Sequence, residues 1–293
     1  MPADVHSTQP RPRANGRDPV PADRPPLART GWRPAPVLWA SVAWHGAAGA
    51  ALALEPALWP WTLGALAANH LGLVAAGLTP RSGLLGPNLI RLPADAAGRG
   101  EVALTFDDGP DAKATPQVLD QLDQAGIRAT FFCIGHRARQ LPALVREIAA
   151  RGHQVENHGD SHSRRTALLG YSRLRQDIVA AQETLAELTG RRPRFFRPLG
   201  GFRNPWFDPL LHQLDLRQVC WTRRGFDSVQ ADPAVVYRRL TRGLAAGDIL
   251  LLHDGDAARS ASGQPVSLAV LPRLLVALRD AGLRPVTLDQ AIS

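Results

Sequence analysis

The chain has 293 residues, of which 45% are hydrophobic and 20% charged. That is enough apolar material for a core, and it excludes a chain disordered throughout. The net charge of +8 rests almost wholly on arginine, since Lys113 is the only lysine, and no basic stripe interleaves with aromatic residues, which argues against a nucleic-acid partner.

Residues 1–35 are rich in Pro, Arg and Asp and lack apolar periodicity, which predicts a disordered basic tail. Residues 36–78 are nearly all apolar, broken once at Glu55-Pro56, and contain Trp59, Trp61, Asn69 and His70. Each half is about the length that crosses a bilayer, and the tryptophans near the break suit an interface, so a transmembrane helical hairpin is expected. A surface-lying helical pair and a signal sequence are the competing readings. Arginines flank both ends: Arg24, Arg29 and Arg33 before, Arg81, Arg91 and Arg99 after. The positive-inside tendency puts both ends, and the domain that follows, on the cytoplasmic side of an inner membrane. Residues 79–100, with Pro80, Pro87 and Pro93, read as a linker.

From Glu101 the chain alternates. Strands are expected at Val102–Phe106, Arg128–Ile134, His153–Glu156, Arg194–Arg197, Gln218–Thr222, Asp248–His253 and Arg284–Thr287. Helices fall between them: one capped by Thr115 with Pro116 in its first turn, one over Pro142–Arg151, and one from Ser172 to Leu188 stopping at Gly190. A further helix is capped by Asp232-Pro233, and another runs from Leu268 to Ala281. Regular alternation implies a parallel sheet curled into a β/α barrel, with chemistry at the C-terminal strand ends. Cys133 and Cys220 lie in strand-like runs and read as buried free thiols.

The chemistry-bearing residues fall at those ends. Thr105-Phe106-Asp107-Asp108-Gly109-Pro110 delivers two adjacent carboxylates into a turn, where a cation would relieve their repulsion. His158 and His162 form H-x3-H and can aim both imidazoles at one point. With Asp108 they make an Asp-His-His set for one divalent metal, for which zinc fits best on ligand softness. Asp107, beside it, is placed to act as a general base and His253 as a general acid. Trp221 and Leu251 can wall a pocket or belong to the core.

This set and order resemble the polysaccharide deacetylase family, also called the NodB-homology or carbohydrate esterase family 4 domain, over about Gly100–Ser293. The resemblance implies a distorted (β/α) barrel and a hydrolase that removes N-acetyl groups from an amino sugar or polysaccharide. It assigns the same three ligands. It makes Arg197 the residue that orients the base, Asp227 the partner of His253, and Gly200 the donor of a backbone N–H to the oxyanion. The sequence departs from the family pattern at Gly159, at Leu199-Gly200-Gly201 and at Ser228, which bears on sugar stacking but removes no ligand or proton-transfer group. The hairpin keeps open a lipid-linked amino sugar as substrate, with formyl instead of acetyl as the group removed. A non-catalytic, membrane-anchored glycan-binding protein is the third reading, and it predicts a missing ligand or acid/base residue.

Overall fold

A computed structural model describes residues 31–292. Most of the expected basic tail, residues 1–30, lies outside the described residues. The first elements are α1 (Pro36–Leu54) and α2 (Trp59–Gly77). A short helix α3 (Ala94–Gly98) then leads into β1 (Glu101–Gly109) and α4 (Ala114–Gln124). Next come β2 (Thr130–Cys133), α5 (Gly135–Gln140), α6 (Pro142–Ala150), β3 (Gln154–Asn157) and α7 (Tyr171–Thr189). The chain continues through β4 (Phe195–Phe196), α8 (Phe207–Gln213), β5 (Arg217–Gln218), β6 (Arg223–Arg224) and α9 (Pro233–Thr241). It closes with β7 (Ile249–His253), α10 (Val266–Asp280), β8 (Arg284–Val286) and α11 (Leu288–Ala291).

Local chemistry explains these elements. β1 and β7 are buried along their whole length, as the central strands of a parallel sheet covered on both faces are. In α7, Leu174, Ile178, Ala181 and Leu185 recur at helical spacing and are all buried, and Gly190 ends the helix at φ 67°, a left-handed position that glycine takes without strain. Asp232 caps α9 by accepting from the Ala234 N–H, with Pro233 in the first turn. The expected Thr115 cap is not seen. Asp111 accepts from the Lys113 and Ala114 N–H groups instead. Thr115 is buried inside α4 and donates to Asp254 at 2.6 Å. The carboxylate outcompetes a hydroxyl for the exposed helix-end donors.

All strand pairs are parallel, in the order β5-β4-β3-β2-β1-β7-β6, with β8 on the first residues of β1. Register aligns Asp107 with His253 and Asn157 with Phe196. Asp107, Asp108, His158, Arg197 and His253 therefore meet at one rim. One apolar cluster (Phe106, Leu119, Leu250, Leu271) lies between sheet and helices, and a second (Phe132, Phe195, Trp221, Leu251) fills the inside of the curl.

The strands β5 and β6 do not pair, so the barrel is open there. The expected linker fills the gap. Leu89 bridges to Val219 and Arg91 to Asp248, and Leu85, Leu92 and Ala96 are buried. Residues 79–100 are thus part of the fold; their apolar side chains, spaced irregularly between prolines, hid this in the sequence.

The helices α1 and α2 pack together. Asn69 donates to the Ser41 hydroxyl at 2.8 Å, and the His45 and His70 Nε2 atoms lie 3.3 Å apart. Trp39, Trp44, Trp59, Trp61, Leu63 and Leu71 are exposed. Among the described residues only α1 is long and apolar enough to cross a membrane. In α2 the polar pair Asn69-His70 and the Trp59-Pro60-Trp61 start lower the mean hydropathy. The end of α2 touches the barrel, where the Arg203 N–H donates to the Gly77 carbonyl at 3.0 Å.

Candidate active site

The end of β1 turns sharply, and Asp108 sits at φ 70°. His162 is at φ 49° and Phe226, next to Asp227, at φ 64°. Non-glycine residues avoid this region at a cost of about 1–3 kcal/mol each, and such strain collects at functional sites. Glycines make the turn possible: a Cβ on Gly255 would run into the Asp108 carbonyl, and one on Gly109 into the Asp254 carboxyl.

Asp108, His158 and His162 converge. Asp108 Oδ1 lies 3.0 Å from His158 Nε2 and 2.8 Å from His162 Nε2. Their candidate ligand atoms lie within 4.8 Å of one another. Yet Asp108 Oδ1 and His162 Nε2 are buried without a hydrogen-bond partner, so they are close but not aligned to bond each other. Buried orphans are costly, and one oxygen with two imidazole nitrogens is the donor set a divalent cation satisfies. The residues fit a metal. His158 Nδ1 is held 2.7 Å from the Arg197 carbonyl, which orients the ring so that Nε2 faces Asp108. Burial alone would raise the Asp108 carboxyl, but the two imidazoles beside it hold it well below the usual carboxylate range.

Asp107 is locked. Arg197, fully buried, donates from Nη1 to Asp107 Oδ1 at 2.7 Å and to the Thr105 hydroxyl at 2.8 Å. Its other nitrogens reach the Val219 and Cys220 carbonyls, and the guanidinium stacks on Phe132 at 4.1 Å. The second oxygen of Asp107 stays 3.9 Å from His158 Nε2, free to take a proton. On the far strand, His253 Nδ1 lies 2.8 Å from Asp227 Oδ1, and the His253 N–H donates to the other oxygen at 2.8 Å. His253 Nε2 points toward Asp108, 3.9 Å away. Burial would strip its proton, but Asp227 and then Asp108 and Asp107 outweigh burial and push it up to about 9. A proton is therefore available on His253 at neutral pH.

A cleft of 430 Å³ joins these groups. Asp107, Asp108, His158, His253, Gly200, Trp221 and Leu251 line it, so every residue singled out in the sequence reaches it or supports it from behind, as Arg197 and Asp227 do, except His162, which reaches it through Asp108. Sequence reading passed over three contributors. Thr105 braces Arg197. Arg137 donates to the Asp108 carbonyl at 2.7 Å and pairs with Asp256 at 2.8 Å, and no local signal marked it. Arg224 also lines the cleft; its place three residues before Asp227 was the available clue.

A curled parallel sheet carrying an Asp-His-His cluster, an Arg-fixed carboxylate and an Asp-backed histidine at one rim defines a hydrolase built for water attack on an acyl group. Comparison with known proteins agrees. The family model for polysaccharide deacetylase matches residues 94–219. A peptidoglycan-N-acetylglucosamine deacetylase of Bacillus cereus is 33% identical over 193 residues, covering 65% of this chain and 87% of that one. A chitooligosaccharide deacetylase of Sinorhizobium fredii is 33% identical over 199 residues, with 65% and 91% covered. A solved peptidoglycan N-acetylglucosamine deacetylase, 30% identical, superposes with a TM-score of 0.63 over 70% of this chain and 92% of that one. This chain belongs to the polysaccharide deacetylase family, the NodB-homology domain of carbohydrate esterase family 4. It is a hydrolase of carbon–nitrogen bonds other than peptide bonds.

Proposed function

We propose that the protein removes N-acetyl groups from an amino-sugar glycan. The observation that carries this is the convergence of two buried, unbonded ligand atoms on Asp108 and His162 beside a carboxylate fixed by Arg197. A divalent cation held by Asp108, His158 and His162, with zinc the best match to the ligands, would supply Lewis-acid polarisation of water and of the acyl oxygen. Asp107 takes the proton of the attacking water, and Arg197 keeps its carboxylate aimed. The acyl carbon gains the water oxygen and loses the sugar nitrogen. His253, oriented by Asp227, gives its proton to that nitrogen as the bond breaks, so acetate and a free amine result. The Gly200 N–H borders the cleft as the oxyanion donor, and Trp221 and Leu251 wall the acyl group. A retired, glycan-binding scaffold is disfavoured, because each ligand and proton-transfer residue is in place.

Asp107→Asn tests the assignment. Acetate release should fall on the order of 10²–10⁴-fold, while metal content by mass spectrometry stays near that of the parent. Full activity would remove Asp107 from the mechanism, and a parent enzyme indifferent to chelators would remove the metal.

We further propose that α1 and α2 anchor the protein in a membrane. The exposed tryptophans and leucines of the hairpin support this, as do helices of 19 residues without a formal charge. A second substrate reading, a lipid-linked amino sugar, is favoured by one contact: α2 ends on Arg203, next to the cleft-lining Phe202. The flanking arginines support a cytoplasmic catalytic domain. A C-terminal reporter active only outside the cytoplasm would refute that placement.

A further inference from the structure

Charges around the cleft are matched with few exceptions. Arg197 is spent on Asp107 at 2.7 Å and His253 on Asp227 at 2.8 Å. Arg137 is paired with Asp256 and Arg223 with Asp248 at 2.7 Å. Asp108 lies between two imidazoles. Arg224 differs. It shares β6 with Arg223 but projects to the opposite side, as strand alternation requires, and it lines the cleft together with Asp107, Asp108 and His253. Its guanidinium stacks over Trp221 at 5.0 Å and over Phe226 at 4.7 Å. Phe226 itself sits at φ 64°. Among the described residues Arg224 has no ion pair, and its buried Nε has no hydrogen-bond partner.

Two rings fix the plane of this cation, and among the described residues none accepts a hydrogen bond from its side chain. A guanidinium held flat by aromatic faces, with free N–H groups toward a substrate cleft, is suited to recognise a planar or tetrahedral oxyanion by paired hydrogen bonds. Arg164 lines the same cleft and adds a second positive charge. From this geometry we infer that Arg224 is a specificity-determining residue that reads an anionic group, a carboxylate or a phosphate, carried by the amino sugar. This rests on the deacetylase reading above and narrows its substrate class to negatively charged amino sugars.

The test uses the full chain in detergent with Asp107→Asn, so that binding is measured without turnover. The probes are N-acetylglucosamine, N-acetylmuramic acid and N-acetylglucosamine 1-phosphate, read by calorimetry. At least one anionic sugar should bind about tenfold tighter than the neutral one, the scale of a charge-assisted hydrogen bond. Adding Arg224→Gln should erase that difference, whereas Arg224→Lys should keep part of it. Preference for the muramic acid identifies a carboxylate as the group read, and preference for the 1-phosphate identifies a phosphate. Equal binding of all three, no measurable binding of either anionic sugar, or a preference untouched by Arg224→Gln overturns the inference. Anion preference in a wild type that releases no acetate would sink the deacetylase reading and leave the role of Arg224 standing. Acetate release without anion preference would do the reverse.

Discussion

Asp108 and His162 hold their positions at the cost of backbone strain, and two of their atoms are left unsatisfied inside the protein. Asp107 and Asp108 outweigh burial and raise the His158 imidazole, so a proton competes with a cation for its ring nitrogen. Metal affinity should therefore fall as pH drops, and titrating the metal-free protein with metal at several pH values should show that fall. The other side of the site carries a second pH dependence. His253 is raised from 6.5 to about 9, so as a proton donor it is competent at neutral pH and fails as pH climbs through that value. Hydrolysis should decline on the alkaline limb, and the limb should vanish in an already impaired His253→Ala variant. The same shift adds stability that is complete below the ordinary histidine range and gone once pH passes about 9. Glu156, which burial raises to about 8, moves in the same direction. The melting temperature of the metal-free protein should therefore drop between neutral and mildly alkaline pH, and a rise would contradict both assignments. The ligands and the proton-transfer pair were legible in the sequence because their neighbours, Asp-Asp-Gly-Pro and H-x3-H, are short and local. Thr105, Arg137 and Arg224 were not, since their roles come from partners far along the chain.

At the scale of elements, the turn after β1 and the turn after β7 lie against each other through Gly255 and Gly109. Gly255→Ala should push the Asp108 carbonyl aside, costing about 1–3 kcal/mol of stability as an overpacking change and weakening metal binding more than an alanine at an exposed glycine such as Gly263. Thermal melts with and without added metal would separate the two effects. Residues 89–92 bridge the chain at the end of β5 to the residues that lead into β7. A chain starting at residue 79 should remain folded and bind metal, whereas one starting at residue 101 should aggregate, having lost Leu85, Leu92 and Ala96 from its core. Equal solubility of the two would show the gap needs no filling. Strand and helix alternation made the barrel readable from sequence, because buried parallel strands are continuous apolar runs. The short β4, β5 and β6, two residues each, had no such run to reveal their limits, and α8 was missed between them.

The whole molecule joins an apolar hairpin to a basic catalytic barrel. The polar side chains Ser41, Asn69, His45 and His70 bond helix to helix, and interhelical polar pairs of this kind hold membrane helices together. The full chain should partition with membranes and resist extraction by salt, while the version starting at residue 79 should be recovered in the soluble fraction. The resemblance carried by the motifs gave the barrel, but it could not describe the hairpin, which lies outside the matched residues 94–219. The short tether between the two parts has its own consequence. With α1 and α2 in a bilayer, as proposed, the hydrogen bond between the Gly77 carbonyl and the Arg203 N–H would hold the cleft at a set height above the surface. Such a height would select which sugar, counted outward from a lipid anchor, reaches Asp107, and inserting residues after Gly77 should then move the point of cleavage further along the glycan.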